Sequence, residues 1–219
     1  VYKAANLLFE EFDIRGGLSI DLKKYIPVAA GMAGGRSDAA AVLYGLNRMY
    51  GLGLSQEQLM ERGVKIGADV PYCIMRGTAL AEGIGEKLTP LPPMPPCNIL
   101  VAKPGISVST KYVYENLHAN DLKPEQHPDI DGILDALKKQ DLRSMAECLR
   151  DGNVLETVTA EAYPVISRLK ATMEENGAAV ALMSGSGPTV FGIYEDRMQA
   201  RRAMAAIRKS RLAKQLFLT

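Results

Sequence analysis

A mixed α+β fold in two domains is what this 219-residue sequence predicts, and three observations carry the prediction. The alternating run Leu18-Ser-Ile-Asp-Leu22 reads as a half-buried strand and leads into a glycine loop that opens a helix. Prolines 90, 92, 93, 95 and 96 make a stiff connector, the natural place for a boundary. The second half interleaves strand-like runs with helical stretches and contains a hairpin, the order expected of an α+β layer arrangement. The expected domains are 1–92 and 97–219.

Taken in order, Tyr2 to Phe12 reads as a helix already in full stride, and strand 18–22 follows. From Ala39 an apolar period through Leu43, Leu46 and Met49 predicts one helical face, with Asp38 in its first turn. Ser55-Gln-Glu-Gln58 is a capping box for a short helix to about Ile66. Gly67-Ala-Asp-Val-Pro71 reads as a turn into a strand over 72–81. Gly83-Ile-Gly85 then turns it back along 86–91. Beyond the prolines, Asn98 to Ala102 reads as a buried strand, with three or four helical stretches between about 109 and 176. Strands at 178–183 and 189–194 flank the turn Ser184-Gly-Ser-Gly187. A basic helix over about 196–210 and a short strand at 216–218 complete the chain.

Composition excludes several classes. Hydrophobic residues make up 47% and charged residues 23%, the proportions of an ordinary globular protein. A net charge of +1 gives no electrostatic case for nucleic acid or an acidic membrane surface. The arginines from 197 to 211 alternate with Ala203, Met204, Ala206 and Ile207 at helical spacing, which reads as a solvated helix face. Cys73, Cys97 and Cys148 suggest neither a disulfide framework nor a CxxC site, and fit a reducing cytoplasm. No apolar run approaches the ~20 residues of a membrane span, and no signal peptide is visible. His118 and His127 stand too isolated to suggest catalysis or a metal.

The richest segment is Pro27-Val-Ala-Ala-Gly-Met-Ala-Gly-Gly-Arg-Ser-Asp-Ala-Ala40. A glycine loop that opens a helix offers backbone N–H donors and the positive end of the helix dipole, which suits phosphate. It departs from a Walker A loop: read from Ala30 it is A-x-x-x-x-G-R-S, with Arg36 where that motif needs lysine.

Three segments together carry a family resemblance. Pro27–Ala40 is similar to the P-x-x-x-G-[LM]-[GA]-G-G-S-S-D-A-A loop of the GHMP-type small-molecule kinases, and Ser184-Gly-Ser-Gly-Pro-Thr-Val190 to their third motif. Gly67–Pro71, with Arg76-Gly-Thr-Ala79 and Glu82-Gly-Ile-Gly-Glu86, resembles a block peculiar to one member, which acts on a cytidyl-diphosphate methylerythritol in isoprenoid precursor synthesis. The resemblance spans nearly the whole chain. It implies a two-domain GHMP-kinase architecture, with a ferredoxin-like C-terminal domain and an incomplete N-terminal one. It also implies transfer of phosphate from ATP, with Mg²⁺, to the 2-hydroxyl of that small molecule.

The same resemblance implies roles. Asp69 is the expected acceptor of the hydroxyl proton, its ordinary alternative being a turn aspartate or helix cap. Lys24, Pro27, Gly31, Gly34, Gly35 and Ser37 are expected around the nucleotide phosphates, with Ser184, Gly185, Ser186 and Gly187 lining the same ligand. Lys24 is alternatively an exposed edge-strand lysine, and Ser184–Gly187 a plain hairpin turn. Thr110 matches a position near the cytidyl end, although a helix N-cap explains the same Ser-Thr pair. Two departures stand out. Arg36 replaces a serine or threonine of the family loop. The chain opens at Val1 and lacks the family's N-terminal segment, which supplies the first strands, a catalytic lysine, a substrate-binding histidine and part of the adenine pocket. The expectation is therefore a truncated chain of poor activity with an unpaired sheet edge; the alternative is a degenerate kinase that keeps phosphate binding without catalysis.

Overall fold

The computed structural model describes residues 1–27, 30–119, 122 and 127–219; Val28 and Ala29 of the expected phosphate loop, and part of the expected 109–176 helical stretch, lie outside them. The chain divides into two units: Val1–Val28 with Ala33–Leu91, and Ala29–Met32 with Pro92–Thr219.

In the first unit, α1 (Tyr2–Glu11) buries Ala4, Ala5 and Leu8. Helix α2 (Gly34–Met49) meets them with Ala39, Ala40, Leu43 and Leu46. The small alanines allow close approach, and the leucines fill the space between the helices. Met49 was expected on this stripe but is 66% exposed, because the buried face ends one turn earlier. Since α2 begins at Gly34, Asp38 lies in its second turn and not its first. Helix α3 (Gln56–Val64) starts on the expected capping box: Gln58 N–H donates to Ser55 Oγ at 3.2 Å, and Ser55 N–H to Gln58 Oε1 at 2.9 Å.

Two expectations fail here. Residues 18–22 form no strand: among the described residues they have no ladder partner, and Ile20 and Leu22 stay exposed. An alternating pattern makes a strand only where a neighbour supplies the hydrogen bonds. Tyr72–Met75 is likewise helical, within α4 (Val70–Met75), because Pro71 in its first turn is pre-set for a helix start. Arg76, at φ 64°, ends that helix, and strand character begins only with β1 (Thr78–Glu82). Strand β2 (Lys87–Leu91) returns antiparallel, pairing Glu82 with Lys87 across the turn.

The second unit carries β3 (Asn98–Lys103), α5 (Thr110–Asn116), α6 (Ile130–Lys139), α7 (Leu142–Leu149), α8 (Leu155–Ala162) and α9 (Val165–Glu175). There follow β4 (Val180–Met183), β5 (Val190–Tyr194), α10 (Arg197–Lys209) and β6 (Gln215–Leu218). The sheet order is β4-β5-β3-β6, antiparallel throughout. Renumbered within the unit this is 2-3-1-4, with α9 leading to the second strand and α10 to the fourth, the ferredoxin-like arrangement. Helix α9 buries Ile166, Leu169 and Met173, and α10 buries Ala200, Ala203 and Ile207, against Leu100, Ala102 and Val190 of the sheet. The α10 arginines stay in solvent. Tyr194 is fully buried, its hydroxyl donating to the Met173 carbonyl at 3.3 Å, and burial pushes its phenol well up.

Leu43 is fully buried between α1 and α2. Leu43→Ala should therefore cost about 2–5 kcal/mol, read as a lower denaturation midpoint for the first unit. A midpoint equal to wild type would show that the site collapses without a cavity.

Candidate active site

In the first unit the site is the start of α2. Its N-cap, Ala33, sits in the left-handed region (φ 48°, ψ 25°) and has no side chain to cap the helix. Arg36 N–H and Ser37 N–H both turn back to the Ala33 carbonyl, at 3.0 and 2.9 Å. The open donors are thus Gly34 and Gly35, whose amides have no acceptor among the described residues. For Ser37 the amide and the hydroxyl are both engaged locally. Its amide is used inside the helix, and its hydroxyl donates to Ala33 O at 3.2 Å, with Cys73 Sγ 3.6 Å away. The two glycines differ. A Cβ on Gly34 would sit 2.9 Å from Ile26 Cγ2, whereas one on Gly35 would meet nothing within 4 Å. Gly34 is a packing requirement; Gly35 faces open space.

Around that helix start, Lys24 pairs with Asp38, which engages its ammonium and ties the incoming segment to α2. Pro27, at the loop's entrance, is half-buried. Asp69 occupies the N-cap position of α4 yet makes no capping bond. Its Oδ2 lies 3.4 Å from Arg36 Nε instead, and its side chain is 53% exposed. The cap alternative therefore fails for Asp69. A tight turn, closed by Val70 N–H to Gly67 O at 3.0 Å, aims the carboxylate outward. The β1–β2 turn lies against the same corner, since a Cβ on Gly85 would come 3.7 Å from the Ala68 carbonyl oxygen. At that turn Glu86 is held below the usual carboxylate range by its own N–H and that of Ile84.

In the second unit Gly31 packs against the Ser184–Gly187 turn. Ser184 Oγ donates to the Gly31 carbonyl at 2.7 Å, and a Cβ on Gly31 (φ 70°) would fall 2.3 Å from the Ser184 carbonyl oxygen. Gly185 and Gly187 also hold positive φ, and Ser184 N–H to Thr189 O at 2.8 Å closes the hairpin. Thr110 joins them, its Oγ1 2.9 Å from Ser186 Oγ, while Ser109 is the cap of α5. Three supports had no place in the sequence reading. Asn153 donates to the carbonyls of Met183 and Gly185, each at 2.8 Å. The buried Thr159 hydroxyl donates to Ser186 O at 3.2 Å. Glu156, paired with Lys170, accepts from Met183 N–H at 2.9 Å. The only local signal was Asn153 ahead of a helix, where it reads as a cap.

Known protein families match both parts of the chain. The "GHMP kinases N terminal domain" family matches residues 1–77, and "GHMP kinases C terminal" matches 133–213. The chain belongs to the GHMP kinases. It is 55% identical over its whole length to a Lachnospira eligens protein named 4-diphosphocytidyl-2-C-methyl-D-erythritol kinase, covering 75% of that protein. It is also similar to a crystal structure of 4-(cytidine 5'-diphospho)-2C-methyl-D-erythritol kinase, at 34% identity and TM-score 0.80, covering 99% of this chain and 75% of that one. A homoserine kinase from Cytophaga hutchinsonii matches at TM-score 0.86 over 99% of this chain and 74% of that one. At 19% identity it bears on the fold alone.

Proposed function

We propose that this chain phosphorylates the 2-hydroxyl of 4-diphosphocytidyl-2-C-methyl-D-erythritol with ATP, a step toward isoprenoid precursors. The observation that carries the reading is Asp69: an outward carboxylate that caps nothing, paired with the first turn of a helix whose leading amides are open. Gly34 and Gly35 N–H groups, at the positive end of α2, receive γ-phosphate oxygens. Asp69 orients the substrate hydroxyl and takes its proton late, since phosphoryl transfer needs positioning and charge stabilisation more than covalent help. Taken by itself, the second unit offers the backbone groups of Gly31 and of the Ser184–Gly187 loop to a phosphorylated ligand, with Thr110 beside that loop.

For Mg²⁺ the donor chemistry is poor. Asp38 and Asp69 are each paired with a cation, Ser37 Oγ is turned to a carbonyl, and Arg36 replaces a hydroxyl. In this reading Mg²⁺ arrives on the phosphate oxygens of ATP, as it commonly does, and no step is assigned to a metal held by these side chains. No helix among the described residues is long and apolar enough to cross a membrane. In this reading the reaction runs in the cytoplasm, with two small molecules as partners.

Gly35→Val tests the phosphate site. Its side chain enters open space, so melting should not fall, while the branch crowds the open amides. ATP affinity in calorimetry should drop by about tenfold or more, the loss of one charge-assisted hydrogen bond. Undiminished affinity would remove the α2 start from the nucleotide site.

A further inference from the structure

Arg36 is the loop's one departure in residue type from the family motif, and its surroundings give it a distinct occupation. Its Nε lies 3.4 Å from Asp69 Oδ2. It also runs beside the turn that sets Asp69, for a Cβ on Gly67 would come 3.9 Å from the same Nε. Among the described residues Arg36 is the one cation paired with Asp69, and the carboxylate makes no bond to the helix it precedes. The arginine is anchored on the first turn of α2, the aspartate on the corner before α4. The two side chains are 56% and 53% exposed. A pair so exposed adds little to folding stability, so its removal tests function and not the fold.

We infer that Arg36 is the positioning residue for the base: from α2 it fixes where the Asp69 carboxylate stands when the substrate hydroxyl arrives. The inference rests on the reading of Asp69 as that base. An exposed aspartate without a cap bond has several staggered rotamers open to it, and a misplaced catalytic group loses rate steeply. In the transfer, the bond from the γ-phosphorus to the β,γ-bridging oxygen breaks and the substrate oxygen bonds to that phosphorus. The hydroxyl proton passes to Asp69, and ADP leaves with the bond's electron pair. Arg36 stays protonated throughout.

The test is a double-mutant cycle in the full-length protein, with steady-state kinetics for ATP and melting of each variant. Arg36→Ser should lower kcat by about 10- to 100-fold while the KM for ATP moves by less than about threefold. The contact runs through one nitrogen and not a two-pronged fork, so Arg36→Lys should recover kcat to within about fivefold. In the Asp69→Asn background, Arg36→Ser should cost less than about twofold more, because a residue acting through another has nothing left to position. Losses that multiply in the double variant, an ATP KM raised tenfold at unchanged kcat, or an Arg36→Ser rate equal to wild type would each overturn the inference. An Asp69→Asn enzyme with full kcat would instead strike the reading of Asp69 itself, and that result is distinct from the others.

Discussion

Asp69→Asn should lower kcat by about 10²- to 10⁴-fold, the contribution of a base acting in the transition state. Asparagine keeps the size and the turn but cannot take the proton. The fold should survive, because the carboxylate caps no helix and its one ion pair is exposed. ATP affinity should barely change, since the carboxylate is not proposed to hold the nucleotide; a fall in kcat at constant affinity marks an interaction made only in the transition state. Both quantities are measured on one preparation, turnover by a coupled assay and affinity by calorimetry. A kcat within a few-fold of wild type, or ATP binding lost along with it, returns Asp69 to an ordinary turn residue.

Gly31→Ala should damage the second unit and nucleotide binding together. The residue sits at φ 70°, where a non-glycine residue costs on the order of 1–3 kcal/mol. The added Cβ would also lie 2.3 Å from the Ser184 carbonyl oxygen, a backbone atom of a loop held by Asn153, Thr159 and Ser184 itself. That atom has little room to yield. The Ser184–Gly31 hydrogen bond should break, and the loop should move out of register for phosphate. Ser184→Ala separates the parts: it removes the hydrogen bond alone, a net loss of roughly 0.5–1.5 kcal/mol, and leaves the backbone conformation unstrained. The expected order of melting temperature is wild type, then Ser184→Ala, then Gly31→Ala, with ATP affinity about tenfold lower in the last. Gly31→Ala melting and binding like wild type would mean that the two loops are not packed as described.

Elements with local signals were legible in the sequence. The capping box at Ser55–Gln58 closes within four residues, the Gly83–Gly85 turn sets its own hairpin, and the glycines at 31, 34 and 35 announce a loop that opens a helix. What failed depended on partners or on competing local forces. Leu18–Leu22 had the alternation of a strand but no neighbour to bond with among the described residues. Tyr72–Met75 had strand-forming side chains, yet Pro71 and the preceding turn start a helix there.

By itself the sequence determined the character of this protein: a glycine loop that opens a helix, a second glycine motif, a carboxylate in a tight turn, and through them the kinase family. Those features follow from backbone freedom and residue type, which act over a few neighbours. Only the tertiary structure decided which groups meet. It set Arg36 against Asp69, Gly31 against Ser184, and Asn153 beneath a loop some thirty residues away in sequence. Such contacts depend on how helices and hairpins pack, and an ion pair or a carbonyl clamp leaves no periodic trace in the chain that makes it.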